Sequence, residues 1–292
     1  MRIALGLAAA VLALSPSLAF WPSLVEAGEL PSYTQPNATA DAGDETQAGK
    51  LSARDVTARL FKAAPGSRPD LAKLNLTRLD LAELDFKHSR LDGSDLYGAD
   101  LSRANLANCS LVGARLDRAT ITAADFSGAD LTDARILRPT IFTTLEVETA
   151  EAPKFVGAKL VRIRSDGLLD RADFSGADLS GAVFGGGASR EETLFSPASL
   201  TSANFTKAIL KETKFPGASL KYARFIDADV SGANFRGSNL TGATFRGANL
   251  AGADVTGANL DETDLRGARG LDQVIGLTSA TNFQSARLDP IP

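Results

Sequence analysis

Large apolar residues recur at every fifth position over residues 195–267. This spacing matches neither the 3.6-residue period of a helix nor the two-residue period of a long strand. A small residue, usually Ala, stands two positions before most of the large ones. The pattern therefore predicts a very short strand followed by a turn, repeated many times along the chain.

Each five-residue unit predicts one straight side and one corner. The small and the large residue point inward and the polar residue between them points outward, as along a short strand. The next two positions are mostly Ser, Thr, Arg or Gly, which suit a corner. Repetition winds the chain into a coil with an apolar interior, whose neighbouring turns pair about 4.8 Å apart.

The alternation of Phe with Leu or Val gives a longer period of ten residues. A four-sided coil of twenty residues turns this alternation into uniform interior columns, which pack without voids. Under this arrangement two opposite columns are aromatic. One column holds Phe205, Phe225 and Phe245, and the other holds Phe195, Phe215 and Phe235.

The motif Ala-(Asp/Asn)-(Leu/Phe)-(Ser/Thr/Arg)-Gly closely resembles the pentapeptide-repeat family, and it covers roughly residues 71–288. The resemblance implies an all-β fold, a right-handed quadrilateral β-helix whose core is lined by the large residue and the Ala two before it. Counting the repeats leads us to expect about nine coils.

Residues 1–27 predict a secretory signal peptide, with a short apolar stretch at Ile3–Leu14. Small residues favour cleavage after Ala19, with cleavage after Ala27 as the second choice. An uncleaved membrane anchor is the alternative. Residues 28–50 are rich in Pro, Thr, Gly and acid, and predict a disordered linker. We therefore expect a periplasmic protein.

Residues 51–66 predict an N-terminal capping helix. Ser52 can cap the helix with Asp55 three positions later, and Pro65-Gly66 ends it. A solenoid exposes apolar core and unpaired strand edges at an open end, so we expect this helix to cover that end.

The β-helix is expected over residues 67–292, with insertions near 142–154 and 185–193 that break the period. Insertions in repeat proteins often form the binding surface, although a tolerated corner insertion is an equal alternative. The candidate partner-binding residues are Glu146, Glu148, Glu151, Lys154, Arg190, Glu191 and Glu192.

The pattern loosens from about residue 270, which predicts a C-terminal cap. Phe283 and Leu288 are five apart and indicate one last partial coil. This end could pair two copies head to head as an end-to-end homodimer.

The residues that carry catalysis or bind metals are scarce. His88 is the only histidine and is expected on an outward corner, and Cys109 is the only cysteine and is expected in the buried small-residue column. The repeated Gly-Ala-Asp triplets lack the nine-residue period of calcium-binding repeats, so their Asp side chains are expected to bond the corner backbone. We expect no enzyme activity, no cofactor and no metal.

Charge separates two functional hypotheses. The net charge is −4, and residues 1–50 carry five acidic against two basic residues, which leaves −1 for the remainder. Well-known pentapeptide-repeat proteins mimic DNA and bind type II topoisomerases, and a DNA mimic needs a strongly acidic surface. We therefore favour a non-enzymatic exported scaffold with an unknown protein partner, no nucleic acid and no membrane contact after signal removal. The alternative is a cytoplasmic DNA-mimicking gyrase binder.

Overall fold

The structure is a computed structural model that describes residues 51–64, 66–141, 151–185 and 197–289. All described residues belong to one compact unit, Ala48–Pro292. The predicted signal peptide at 1–27 and linker at 28–50 lie outside the described residues.

Helix α1 spans Ala53–Lys62, somewhat less than the predicted 51–66. It begins with the predicted capping box. The Asp55 N–H donates to Ser52 Oγ over 3.2 Å, and the Ser52 N–H donates to the Asp55 carboxylate over 2.9 Å. These two bonds satisfy backbone donors that have no partner inside the first turn.

The apolar stripe of α1 faces the coil. Val56 and Leu60 are buried and belong to the same apolar cluster as the interior of the coil. Lys87 Nζ donates to the Leu60 carbonyl oxygen over 2.9 Å, near the C-terminal end of the helix. Phe61 lies on the other face of α1, where 85% of it is exposed.

The described residues between 70 and 287 wind into a parallel β-helix. Residues twenty apart pair through parallel bridges, which gives four sides of five residues in each coil. Leu250 N–H donates to the Arg269 carbonyl and Arg269 N–H donates to the Ala248 carbonyl, both over 2.8 Å. This pattern recurs along ten successive coils on one side, through Asp70, Arg90, Ser110, Asp130, Lys159, Asp178, Ile209, Asp229, Asn249 and Arg269.

One side is extended enough over three coils to form strands. These are β1 (Arg135–Leu137), β2 (Arg164–Asp166) and β3 (Val183–Phe184), which pair in parallel in the order β1-β2-β3. Arg135 lies opposite Arg164, and Arg164 lies opposite Val183. These offsets of 29 and 19 residues show where the first insertion lengthens one coil and where the next coil is one residue short.

Two columns of phenylalanine rings run through the interior. Neighbouring rings in the longer column are nearly parallel, with centroids 4.5–5.0 Å apart, and belong to Phe126, Phe155, Phe174, Phe205, Phe225 and Phe245. The opposite column holds Phe184, Phe215 and Phe235 at 5.1 and 5.2 Å. Rings of the two columns meet edge to face, the other arrangement that the ring quadrupole favours.

The predicted columns are therefore confirmed for Phe205, Phe225 and Phe245 and for Phe215 with Phe235. Phe195 lies outside the described residues. The ring stacked on Phe215 from the preceding coil is that of Phe184, 31 residues earlier. The prediction counted back twenty residues from Phe215, and the second insertion makes that count wrong.

The corners rely on positive φ angles and on side-chain caps. The second residue after each large apolar residue is usually left-handed, for example Lys207 at φ 59°. The preceding outward Asp or Asn accepts a hydrogen bond from the backbone N–H two positions later. In the Gly-Ala-Asp triplets these bonds measure 2.9–3.1 Å and are accepted by Asp100, Asp130, Asp178 and Asp254. This is the corner role predicted for them.

The last coil has sides of six residues instead of five. Asp254 pairs with Ile275, Asn259 with Thr281 and Asp264 with Arg287, at offsets of 21, 22 and 23 residues. The extra residue on these sides is left-handed and opens a 3-10 helix: Gly270 before Leu271–Gln273, Gly276 before Leu277–Ser279, and Asn282 before Phe283–Ser285.

The expected last coil is present at the C-terminal end, but its period differs from five. Phe283 lies in that coil and follows Leu277 at a spacing of six, and Leu288 is 45% exposed. The described residues form ten coils and not the expected nine, because a count of five-residue repeats misses the final coil. The period changes at Gly270, close to the residue where a C-terminal cap is predicted to begin.

Candidate functional site

Both insertions open at the edges of one side of the β-helix, which we name the loop side. Its outward positions are Asp80, Asp100, Thr120, Thr140, Leu168, Ser199, Ser219, Asn239, Asn259 and Thr281. The chain leaves this side after Ile141 at the first insertion. At the second insertion it leaves the neighbouring side after Gly185 and returns at Pro197, just before the loop side. The two insertions therefore lie in the fourth and sixth coils, at opposite edges of one side.

The loop side is interrupted between the two insertions. Thr140 pairs with Thr120 and Leu168 pairs with Ser199, but no bridge joins Thr140 to Leu168 in the described part of the chain. Thr140 and Leu168 lie in consecutive coils, because the neighbouring sides of these two coils pair directly with each other. Pro139, which has no backbone N–H to donate to a strand ladder, stands immediately before the break.

An exposed apolar residue lies at the break. Leu168 is 61% exposed in an outward position that is polar in every other coil of this side. Gly167 beside it has φ 124°, and a Cβ there would lie 3.2 Å from the Pro139 ring. The backbone of the fifth coil therefore runs close over Pro139, in a conformation that requires glycine.

The structure places few of the predicted partner-binding residues. Glu146, Glu148, Arg190, Glu191 and Glu192 lie outside the described residues. Glu151 is described and half-buried, and its carbonyl oxygen accepts a hydrogen bond from the Ala123 N–H over 2.7 Å. It therefore marks the point where the chain rejoins the coil.

The assignment of Lys154 to an inserted loop is wrong. Lys154 pairs with Asp125 on one side and with Asp173 on the other, as a regular outward residue of the coil. Pro153 is buried before it, and Phe155 stacks in the longer aromatic column. The core resumes at Pro153 because Pro153 and Phe155 fill the small and large interior positions. Gly185 likewise still belongs to the coil, since its N–H donates to the Ser165 carbonyl over 2.7 Å.

The residues with catalytic potential have structural roles. His88 is exposed at a corner, as predicted, and its Nδ1 lies 2.9 Å from the Ala107 carbonyl oxygen. Cys109 is buried in the small-residue column, also as predicted, and burial raises the pKa of its thiol to about 12.

No group of three His, Cys, Asp or Glu side chains within residues 51–289 as described is arranged to hold a metal ion. Among the helices of the described residues, none has the length and apolarity to span a membrane.

Sequence reasoning missed a second feature, a run of arginines on the side that carries β1–β3. Arg115, Arg135 and Arg164 occupy consecutive outward positions there. The last two are 29 residues apart in sequence, so a count of twenty residues per coil does not bring them together. Only the interior stacking of Phe126 on Phe155 signals the true length of that coil.

A family model described as pentapeptide repeats matches the chain in eight copies, over residues 99–136, 168–186, 198–237 and 231–267. Membership of this family implies a right-handed β-helix, which is the fold that the sequence resemblance predicts. No curated protein is significantly similar to the chain.

Several solved structures are similar to the chain. HetL, a pentapeptide repeat protein involved in heterocyst differentiation regulation from the cyanobacterium Nostoc sp. strain PCC 7120, is 23% identical, with 81% of this chain and 94% of HetL covered and a TM-score of 0.33. Trypsin-treated QnrB1, a plasmid-mediated fluoroquinolone resistance protein, is 20% identical, with 77% and 92% covered and a TM-score of 0.37. A pentapeptide repeat protein from the Arabidopsis thaliana thylakoid lumen is 25% identical, with 42% and 66% covered and a TM-score of 0.19.

Proposed function

The chain belongs to the pentapeptide-repeat family, and we propose that it is a non-enzymatic, exported β-helix that serves as a protein-interaction or structural scaffold in the periplasm. Its partner is a protein that binds the loop side. The observation that carries the proposal is the placement of both insertions at the two edges of one side, around the exposed Leu168. Insertions at the two edges of one side can hold a partner between them.

The proposal is tested with loop variants of the mature chain. Residues 142–150 and 186–196 are each replaced by a short Gly-Ser link, and Lys154 is kept because it belongs to the coil. Proteins captured from envelope extract by this variant and by the wild type are compared by mass spectrometry. We expect a wild-type partner to be lost while thermal unfolding remains cooperative. Capture of the same partner by the shortened, folded variant contradicts the proposal.

A point substitution separates the side itself from its loops. Leu168→Asp places a charge between the two insertions and is expected to weaken capture of the same partner. Ile209→Asp is the matched control, because Ile209 is also an exposed outward aliphatic residue but lies on a different side. Equal effects of the two substitutions would argue for general loss of stability and against a site on the loop side.

Export is a separate part of the proposal and rests on the signal-like residues 1–27. Cells that express the full-length chain with its native start are fractionated, and the intact product is weighed by mass spectrometry. A periplasmic product that begins at Phe20 or Gly28 is expected. An unprocessed cytoplasmic product overturns export, and inhibition of gyrase supercoiling then becomes the next assay.

We propose that the apolar core is covered by helix α1 at the N-terminal end of the β-helix and by a second copy of the chain at the C-terminal end. Helix α1 caps the N-terminal end, which is supported by the burial of Val56 and Leu60 and by the wide residues Leu74, Leu79 and Leu84 that pack against the core in the first coil. At the other end, the last coil presents partly buried apolar residues: Leu271, Val274, Leu277, Ala280, Phe283 and Ala286. We propose that a second copy packs on this end, and a sedimentation mass of one protomer contradicts that pairing.

The alternative function is a DNA-mimicking gyrase binder. In its favour, Asp80 and Asp100 are consecutive on the loop side. Against it, outward acidic residues elsewhere alternate with basic ones, as Asp130, Lys159 and Asp178 do. A duplex presents one negative charge per about 1.7 Å, and alternating charges do not reproduce that field. The charge distribution therefore supports the scaffold proposal over the mimic.

A further inference from the structure

We propose that the side of the β-helix built around β1 and β2 is a second interaction surface, which binds an extended acidic polypeptide segment. The surface is the arginine ladder, defined as Arg115, Arg135 and Arg164. It lies on the side next to the loop side and needs neither insertion. The proposal therefore stands independently of the one made for the loop side.

The ladder places three guanidinium side chains on consecutive coils. Arg115 pairs with Arg135, and Arg135 pairs with Arg164, in adjacent parallel register. Coils lie about 4.8 Å apart, and like charges directly opposite one another across strands reduce stability. Among the described outward positions, this is the only run of three consecutive cations or three consecutive anions. On other sides a cation lies between acids, as Lys154 does between Asp125 and Asp173.

Internal carboxylates neutralise only part of the ladder. Asp117 is nearly buried, and it accepts hydrogen bonds from Arg115 Nε over 3.0 Å and from the Leu137 N–H over 3.1 Å. Arg135 Nη2 lies 3.1 Å from the same carboxylate. Arg115 also reaches Asp95 at 3.3 Å. These contacts hold the first two guanidinium groups in place against the surface.

Arg164 has no such partner. It is exposed on β2, and no ion pair or hydrogen bond of its side chain is present within the described residues. The adjoining corner adds Arg118 and Arg138. Arg138 Nε lies 4.0 Å from the Asp166 carboxylate, which also accepts a hydrogen bond from the Arg138 N–H over 2.8 Å. The surface as a whole therefore sets five arginines against three aspartates. Its excess charge is concentrated around the unpaired Arg164.

An acidic polypeptide is the occupant that fits this charge and spacing. Alternate side chains of an extended peptide point to one face about 6.8 Å apart, within the reach of neighbouring arginine side chains. Carboxylates match the planar fork of a guanidinium group with two hydrogen bonds. A nucleic acid is a poorer fit, since residues 51–292 carry a net charge of −1 and three aspartates lie beside the ladder.

The probe is a fluorescein-labelled peptide of alternating Glu and Thr, and its binding to the mature chain is measured by fluorescence anisotropy at low salt. We expect binding that weakens with added salt, and we expect Arg164→Gln to reduce the affinity about tenfold. Arg224→Gln is the matched control, because Arg224 is also an outward arginine with no ion pair within the described residues but lies on another side, between Asn204 and Thr244. It should leave the affinity unchanged.

Three results overturn the proposal. One is equal loss of affinity for both arginine variants, and another is no loss for Arg164→Gln in a chain with normal thermal unfolding. The third is tighter binding of single-stranded DNA of the same charge, with the same sensitivity to Arg164→Gln, which assigns the ladder to nucleic acid. The variant with both insertions shortened should bind the peptide as the wild type does, so failure of either proposal can be told from failure of the other.

Discussion

The ring of Phe215 stacks on the ring of Phe235 from the next coil, with centroids 5.2 Å apart and planes 6° from parallel. Phe184 stacks on its other face at 5.1 Å, and the side chain of Phe215 is fully buried. A coil that loses this ring cannot fill the space by a small shift, because backbone pairing holds the neighbouring coils in place.

Phe215→Ala is therefore expected to lower the free energy of unfolding by about 3 to 5 kcal/mol. Denaturant unfolding followed by circular dichroism measures the change. Phe61→Ala is the control, since Phe61 is 85% exposed and its removal should have little effect. Equal stability of the two variants would contradict the stacked-column core.

Ser94→Ala is expected to stabilise the protein by about 1 kcal/mol. The Ser94 hydroxyl is buried, and it has no hydrogen-bond partner in the described part of the chain. The matched variant is Ser238→Ala, because the Ser238 hydroxyl is equally buried but donates to the Phe235 carbonyl over 2.7 Å. That variant should lose about 1 kcal/mol. Shifts of the same sign in both melting temperatures would show that the two hydroxyls are not in different environments.

The last coil should depend strongly on Gly276. A Cβ at Gly276 would lie 2.6 Å from Thr256 Cα and 2.7 Å from Thr256 N, closer than backbone atoms allow. Gly257 has a similar φ of 67°, but a Cβ there meets nothing within 4 Å. Gly257→Ala should cost about 1 kcal/mol through its backbone angle alone.

Gly276→Ala should cost about 2 kcal/mol more than Gly257→Ala, since it adds a clash to the same backbone strain. Limited proteolysis should also release the C-terminal coil first in this variant. If both alanine variants unfold at the same denaturant concentration, the close packing of the six-residue coil on Thr256 is wrong.

The thiol of Cys109 should be unreactive in the native protein. Burial raises its pKa to about 12, so almost no thiolate forms at neutral pH, and the side chain has no access to solvent. We expect no reaction with an aromatic disulfide reagent at neutral pH, and rapid stoichiometric reaction once the chain is unfolded in guanidinium. Fast labelling of the native protein would contradict the burial of the thiol.

Stability should fall in acid. The Arg162 guanidinium donates to both oxygens of Asp133 over 2.7 and 2.6 Å, and these hydrogen bonds lower the pKa of that carboxyl from its ordinary value. Hydrogen bonds from Arg266 likewise lower the pKa of Asp264. A carboxyl with a depressed native pKa binds protons more readily in the unfolded chain. Its contribution is therefore complete above the unfolded pKa and is lost as the pH falls through the native pKa.

Melting temperatures should thus be constant near neutral pH and should decline from about pH 4 downward. Asp133→Asn removes one of the titrating groups and should flatten the decline. A melting temperature that rises as the pH falls through the same range would contradict the sign of these pKa shifts.

The interior was largely predictable, because it depends on alternation within five neighbouring residues. The aromatic columns through Phe205 and Phe215, the burial of Cys109 and the capping box at Ser52 all follow from short spacings in the sequence. The six-residue coil was harder to predict from the sequence, because Phe283 and Leu288 are five residues apart, like the large residues of an ordinary repeat. Gly270 and Gly276 are the sequence signal for the change of period.

The sequence by itself determined which side chains face the core, because a small and a large apolar residue two positions apart can be buried together only in one orientation of each short strand. The tertiary structure alone decided which outward residues become neighbours across the insertions. Lys154 pairs with Asp125, and Arg135 lies opposite Arg164. These pairs form because ring stacking and backbone pairing restore the regular register of the coil after the insertion. That register depends on where the apolar core resumes, and a count of residues along the sequence cannot supply it.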